Sequence, residues 1–357
     1  MSTVATEIDL NRIVSGISDS EARLIGIISI LEGYYNSVSK KYLKVIKSNC
    51  LEDITLSELS YIYTNRMRNN KGLHGVCWEY FIYEAILDGD DFILDIINRA
   101  INGINVAEGD EYEDIDVILW GGEKKNLNLS AISECLTDED YLWCHNGCMK
   151  FKENLNLILE SFRSEKSRKL LLQQFNSVWK ADMFVKKINS NVWYAVTIKW
   201  KKSELKINLY NGLSIGMAFL DDMELDVYDE VEFLRFKNNN IKAICNIPYT
   251  YNLGQYFTDT FRLVGNILCY LNIGKNNSLP LCFPTLAKRY LFDFLRKNKD
   301  YRCNDILDYL KSKRRIFTEF EKTKSVILTN TQDIVIPNSK EIITSNNIIN
   351  NKIILNI

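Results

Sequence analysis

One aspartate and one lysine are spaced so that a two-stranded hairpin would bring them together. Asp182 stands at the head of the apolar run from Ala181 to Lys186, and Lys199 lies near the end of a second run, from Val192 to Trp200. The intervening "INSN" favours a tight turn, because Asn and Ser tolerate the bend. Since side chains alternate along a strand, Thr197 and Lys199 project to the same side. The spacing therefore predicts a carboxylate close to an ammonium, a pair that suits chemistry at a phosphate.

This pattern resembles the PD-(D/E)XK nuclease superfamily, in which an aspartate begins one strand and an acidic-x-lysine triplet lies on the next. Asp182 matches the aspartate and Lys199 the lysine, while Thr197 stands where the second acid belongs. The resemblance implies that two acids bind Mg²⁺ or Mn²⁺, that the metal polarises the scissile phosphate, and that Lys199 faces this phosphate. Thr197 departs from the pattern, because a neutral hydroxyl is a poor ligand for a hard cation.

A second carboxylate therefore has to come from another element. The apolar segment "HGVCWEYFIYEAIL" contains two acids, Glu79 and Glu84, and charged residues are uncommon in such a segment. Because they are five residues apart, they point about 140° apart around a helix axis, and at most one of them faces the metal. We expect Glu84 to be the ligand, with Glu79 second; Asp114 or Asp116, beside the strand predicted at "IDVIL", is the alternative. The candidate catalytic residues are Asp182, Lys199, Glu84 and Thr197, and the candidate metal ligands are Asp182, Glu84 and Glu79.

Charge is unevenly distributed along the chain, although the formal net charge is only -2. Ten acids lie between residues 88 and 116 against the single base Arg99, and twelve basic residues lie between residues 288 and 324. Either block alone is typical of a solvated helix face, whereas the two together permit a phosphate-binding face. The candidate nucleic-acid contacts are Lys201, Lys202, Arg314 and Arg315.

Periodicity predicts an α+β fold that is mostly helical, with a small central mixed β-sheet of the restriction-endonuclease-like type flanked by helices. Helical spacing covers residues 8–17, 22–46, 56–67, 75–89, 92–101, 152–179 in two parts, 226–236, 256–271, 286–295 and 304–320. Strand-like runs cover 115–122, 181–186, 192–200 and 205–209, and 213–219 has the pattern of a bulged edge strand. We expect a helical N-terminal region at 1–70, a nuclease-like α/β core at 71–222, a helical C-terminal region at 223–324, and an edge strand and tail at 325–357.

Cysteine, histidine and glycine patterns argue against several other classes of protein. Nine cysteines follow no regular framework, no segment resembles a signal peptide, and no apolar run approaches the roughly 18–20 residues of a membrane span. We therefore expect a cytoplasmic protein with reduced thiols and no membrane partner. Cys144, His145 and Cys148 lie close together without a second pair at ligand spacing, so we expect no zinc site. The sequence has no GxxxxGK[ST] loop and no GxSxG elbow, the marks of nucleoside triphosphatases and many Ser-His-Asp hydrolases.

These features together predict a metal-dependent nuclease or nuclease-like effector, a hydrolase that acts on DNA, in restriction or anti-phage defence. The helical N-terminal region would serve a protein partner or regulation. The alternative is a non-catalytic nuclease-like scaffold, an interaction subunit of a multiprotein complex, and Thr197 is the residue that favours it.

Overall fold

A computed structural model describes residues 22–48, 50–104, 112–120, 132–144, 147–155, 181–200, 212–218, 231–235, 241–248, 252–273 and 286–312. These residues form an α+β fold with a central mixed sheet flanked by helices, as the sequence predicts. The chain divides into two compact units, and the unit made of Ser29–Ser37 and Asn69–Phe261 contains the whole described sheet.

Most of the predicted helices are present. The described helices are α1 (Ala22–Asn36), α2 (Lys40–Val45), α3 (Leu56–Ile62), α4 (Leu73–Asp88), α5 (Asp91–Ile104), α6 (Asn252–Ile273) and α7 (Leu286–Lys297), with a π-helical turn at Tyr63–Met67 and helical residues at 303–312. The helix predicted over 22–46 is broken in two, because Ser39 is extended (ψ 161°) where it precedes α2. Helix α4 ends as predicted at Gly89, whose left-handed conformation (φ 76°) favours glycine.

The sheet has eight strands in the described part of the chain. They are β1 (Ile115–Leu119), β2 (Tyr141–Cys144), β3 (Gly147–Lys150), β4 (Met183–Lys187), β5 (Val192–Lys199), β6 (Leu213–Ala218), β7 (Val231–Arg235) and β8 (Ile241–Pro248). The strand order is β1-β4-β5-β6-β8-β7, and the β2–β3 hairpin joins the sheet through the first residues of β5. Strands β5, β6 and β8 are parallel, whereas the β1–β4, β4–β5 and β7–β8 pairs are antiparallel.

One face of the sheet is apolar and packs on α5. Since partners in register share a face, the apolar face is made of Val196, Leu213, Ala243 and Phe233 in one row and Ile198, Ile215, Cys245 and Val231 in the next. The Cys245 Sγ atom lies 3.7 Å from the Ile96 carbonyl oxygen of α5. Burial there raises the pKa of the Cys245 thiol to about 12, so this thiol is neutral.

The opposite face of the same strands is mostly polar, and we call it the polar face. Its residues are Thr197 and Lys199 on β5, Ser214 and Gly216 on β6, Lys242, Ile244 and Asn246 on β8, and Glu232 on β7. Ser214, Lys242 and Asn246 are nonetheless at most 2% exposed. Burying polar side chains on a sheet face costs free energy unless they are hydrogen-bonded. This face therefore differs from the hydrophobic face that packs on α5.

Two predicted elements are wrong. Residues 213–218 form β6, which lies inside the sheet between β5 and β8 with an unbroken register, rather than a bulged edge strand. Residues 231–235 form β7 rather than part of a helix, because Val231 and Phe233 take the apolar face while Glu232 takes the polar face. The sheet therefore continues beyond residue 222. The predicted elements at 8–17, 205–209 and 325–357 lie outside the described residues.

Candidate functional site

The β4–β5 hairpin forms as predicted and positions the candidate pair. Met183 pairs with Val196, and the turn is closed by a hydrogen bond of 3.0 Å from the Ser190 N–H to the Lys187 carbonyl oxygen. Asp182 directly precedes β4 and Lys199 is the last residue of β5. Antiparallel pairing therefore brings the start of one strand beside the end of the other.

Asp182 is bound by both the side chain and the backbone of the neighbouring strand. Its Oδ2 atom accepts hydrogen bonds from the Lys199 Nζ at 3.3 Å and from the Ile198 N–H at 2.8 Å. The Asp182 N–H donates to the Val196 carbonyl oxygen at 2.8 Å. The Asp182 side chain is 10% exposed and that of Lys199 is 30% exposed. A carboxylate this buried requires such donors, which hold it in a fixed position next to the ammonium.

Thr197 lies on the same side of β5 as Lys199, as predicted, and is half-buried. It is the cross-strand neighbour of Ser214. The resemblance requires an acid at this position, but Thr197 carries a hydroxyl. Its neighbour on β6, Ser214, carries a second hydroxyl.

Glu79 and Glu84 lie on α4, which packs against β1 and β5. Glu84 is 1% exposed and Glu79 is half-buried. The ring of Trp78, also on α4, lies 5.6 Å from the ring of Trp200. Because Trp200 directly follows Lys199, alternation points their side chains to opposite faces. Helix α4 therefore packs on the face opposite Lys199.

The alternative acids Asp114 and Asp116 are too far from Asp182 to complete its site. Asp116 pairs with Lys186, four residues along β4 from Asp182, which corresponds to roughly 13 Å. Its carboxylate lies 3.9 Å from the Lys186 ammonium. Asp114 lies two residues further towards the hairpin turn, where its carbonyl oxygen accepts from the Ile188 N–H.

The described residues fit only part of a magnesium site. Asp182 offers one carboxylate, whereas the resemblance implies two anionic ligands. In the part of the chain that the structure describes, no three His, Cys, Asp or Glu side chains are grouped so that they could hold a metal ion. The metal-binding roles of Glu84 and Glu79 stay predictions.

The histidines, the Cys144–Cys148 segment and the basic candidates lie elsewhere. His74 stacks on Phe261, with 3.8 Å between ring centroids, and lies near Trp200, so it belongs to an aromatic cluster. Cys144 is buried on β2 and Cys148 is exposed on β3. The positions outside the described residues are Lys201, Lys202, His145, Arg314 and Arg315.

Sequence reasoning missed two groups of buried polar residues. Asp140 is 1% exposed and accepts from the Thr137 N–H at 2.7 Å, the Trp193 Nε1–H at 3.0 Å and the Lys186 ammonium at 3.4 Å. Ser214 on β6 and Asn246 on β8 also lie on the polar face. Alternation in "LSIGM" could have shown Ser214, because a polar and a small residue occupy alternate positions there, whereas Ile244 interrupts the same pattern before Asn246.

No family model, curated protein or solved structure matches this chain. None of the helices among the described residues is both long and apolar enough to cross a membrane. The function is therefore argued from the site itself.

Proposed function

We propose that this protein is a nuclease or nuclease-like effector that acts on DNA in the cytoplasm, in restriction or anti-phage defence. The observation that carries the proposal is the Asp182–Lys199 pair at 3.3 Å, formed between the start of β4 and the end of the adjacent β5. This is the strand arrangement that the resemblance to the PD-(D/E)XK superfamily requires of its aspartate and lysine. The identity of the substrate and the magnesium dependence rest on that resemblance.

In this proposal Lys199 is the residue that meets the phosphodiester. Its ammonium is partly exposed and can place a positive charge against the charge that develops on the phosphate oxygens during cleavage. Asp182 positions that ammonium, because its carboxylate is fixed by the Ile198 N–H as well as by Lys199. A divalent metal, if bound, would take Asp182 as one ligand and would polarise the phosphate.

A non-catalytic nuclease-like scaffold is the second candidate, and two observations favour it. Thr197 replaces the expected acid, and the described residues form no cluster of three metal-binding side chains. In this version the sheet is retained as a docking surface within a multiprotein complex, with the helical N-terminal region as the partner-binding part.

A cleavage assay separates the two candidates. Purified protein is incubated with plasmid and with single-stranded DNA, in the presence of Mg²⁺, Mn²⁺ or a chelator. The nuclease proposal predicts cuts that depend on the metal. The scaffold predicts intact DNA under every condition, including in the presence of the natural partners of the protein.

A further inference from the structure

Helix α2 and the turn that follows it carry several lysines and no acidic residue. Between residues 33 and 51 the sequence has no Asp or Glu, and its basic residues are Lys40, Lys41, Lys44 and Lys47. All four side chains are exposed, and we call them the lysine surface. In the part of the chain that the structure describes, no acidic side chain forms an ion pair with them. The Lys41 ammonium lies 4.9 Å from the centre of the Tyr42 ring, which carries no charge to neutralise it.

The lysines of α2 repel one another. Lys40 and Lys44 are four residues apart, so they lie on the same side of the helix, about 6 Å apart along its axis. Lys41 and Lys44 are neighbours at a spacing of three, and like charges at either spacing destabilise a helix. Packing of a buried face normally stabilises a helix this short, but α2 buries none of its residues. The repulsion is therefore not compensated by burial within α2.

Lys47 occupies a position at which glycine is usual. The Ser48 N–H donates to the Leu43 carbonyl oxygen at 3.1 Å, and the Lys47 N–H donates to the Lys44 carbonyl oxygen at 3.4 Å. These two hydrogen bonds end α2 in a Schellman motif, in which the first residue after the helix cap is left-handed. Lys47 has a φ of 56° there, a conformation that glycine adopts readily and that strains a residue with a Cβ atom. Backbone strain of this kind is concentrated at binding sites.

The charge of the lysine surface fits the phosphate backbone of a nucleic acid, because ammonium groups that contact phosphates release condensed counterions. An anionic membrane has the same charge, but a helix that lies in a membrane interface also needs a broad apolar face. Val45 is 41% exposed, whereas Tyr42 and Leu43 are half-buried. Helix α2 therefore exposes a single apolar side chain and has no such face.

We propose that the lysine surface is a contact site for the phosphate backbone of DNA. Bound phosphates offset the repulsion between the lysines of α2 and pair with the ammonium of Lys47. Phosphate contacts carry no sequence information, so this surface strengthens binding to all sequences alike. The choice of DNA rests on the proposed function, whereas the contact site rests on the charge and geometry of residues 40–48.

The first test measures binding to a duplex DNA oligonucleotide over a series of salt concentrations, with a chelator present so that the DNA stays intact. The double variant Lys40→Ala/Lys44→Ala keeps good helix formers in α2. It should bind more weakly than wild type and lower the slope of log affinity against log salt by about two. Lys152→Ala is the control, because Lys152 is 40% exposed and pairs with Asp138. An unchanged slope in the double variant, or an equal loss in the control, would overturn the proposal.

Lys47→Gly separates binding from folding. Glycine relieves the left-handed strain, so the midpoint of thermal unfolding should rise by a few degrees. The affinity for DNA should nevertheless fall, with a decrease of about one in the salt slope. A lysine with only a structural role would change stability and leave the affinity as it is, and that result would contradict the contact at Lys47.

Vesicles of phosphatidylcholine with and without phosphatidylserine test the other anionic surface. We expect no binding to either that depends on Lys40 and Lys44. If wild type bound the phosphatidylserine vesicles but not DNA, and the double variant lost this binding, the surface would belong to a membrane contact and the proposal would be overturned.

The contact site and the nuclease proposal fail in different experiments. A wild-type protein that binds DNA through the lysine surface but never cuts it would support the contact site and contradict the nuclease. A wild-type protein that cuts DNA, with a double variant that binds DNA as tightly as wild type, would overturn the contact site and leave the nuclease intact. A wild-type protein that binds no DNA would contradict both.

Discussion

Asp182 makes a backbone contact as well as an ion pair, and this affects how its variants should be interpreted. The Ile198 N–H donates to its carboxylate at 2.8 Å in place of a main-chain acceptor. Removal of the carboxylate therefore leaves a buried N–H and an ammonium without their acceptor. Asn keeps a side-chain oxygen and provides the better variant for activity measurements.

We predict that Asp182→Ala lowers the free energy of unfolding by about 1–3 kcal/mol, the usual cost of a buried donor left unsatisfied. Asp182→Asn should lose less, because its amide oxygen can still accept from Ile198. Urea unfolding of the two variants and the wild-type protein provides the measurement. Equal stability of Asp182→Ala and wild type would show that the Ile198 hydrogen bond contributes nothing.

Asp140 gives a prediction about pH. Burial by itself raises the pKa of this carboxyl, but the Thr137 N–H and hydroxyl, the Trp193 N–H and the Lys186 ammonium outweigh it and hold the pKa below its usual range. A lowered pKa contributes stability above the unfolded value of about 3.9, and this contribution is lost as the pH falls through the folded value.

The stability difference between wild type and Asp140→Asn should therefore be large at pH 7 and should shrink as the pH is lowered below about 3.9. Denaturant unfolding across this range measures it. Asp138→Asn is the control, because the Asp138 side chain is 87% exposed. If the difference in stability between wild type and Asp140→Asn stayed constant, or grew at low pH, it would contradict the assignment of Asp140 as a charged partner of its neighbours.

At the scale of elements, the parts of the fold that could be predicted are those built from neighbouring residues. The β4–β5 hairpin follows from two apolar runs and a four-residue turn. Helix α4 follows from its spacing, but the face of the sheet on which it packs does not, so the position of Glu84 relative to Asp182 could not be predicted. The parallel β5–β6–β8 pairing joins segments distant in sequence, and no local pattern specifies which strands meet. The polar face was missed for that reason.

Helix α4 is held close to α1 at a single glycine. A Cβ atom at Gly33 would lie 2.6 Å from Cys77 Sγ and 2.9 Å from Cys77 Cα. We predict that Gly33→Ala destabilises the protein by about 1–3 kcal/mol through overpacking, although alanine favours helices. Gly75→Ala, also in α4 and with nothing within 4 Å, should instead stabilise by up to about 1 kcal/mol. Thermal unfolding of both variants decides this, and a stabilised Gly33→Ala would contradict the close packing.

At the scale of the whole molecule, the charge pattern of the sequence gives a prediction about nucleic-acid binding. The basic block between residues 288 and 324 contains Arg314 and Arg315. If it contacts the DNA backbone, affinity should fall steeply with salt, because each phosphate contact releases counterions. The reversals Arg314→Glu and Arg315→Glu should weaken binding to all sequences alike and lower the salt slope by about two. If neither the salt concentration nor these reversals changed the affinity, the basic block would not be part of the DNA interface.

The account depends most directly on the roles of Asp182 and Lys199 at a phosphodiester. The decisive measurement is the rate of DNA cleavage, with Mg²⁺ or Mn²⁺, by wild type, Asp182→Asn and Lys199→Met, with Lys152→Met, whose native side chain is 40% exposed, as the lysine control. We predict that the wild-type protein and the control cut DNA and that the two site variants lose at least about 100-fold in rate. A wild-type protein that never cuts, or site variants that cut as fast as the control, would contradict the nuclease proposal.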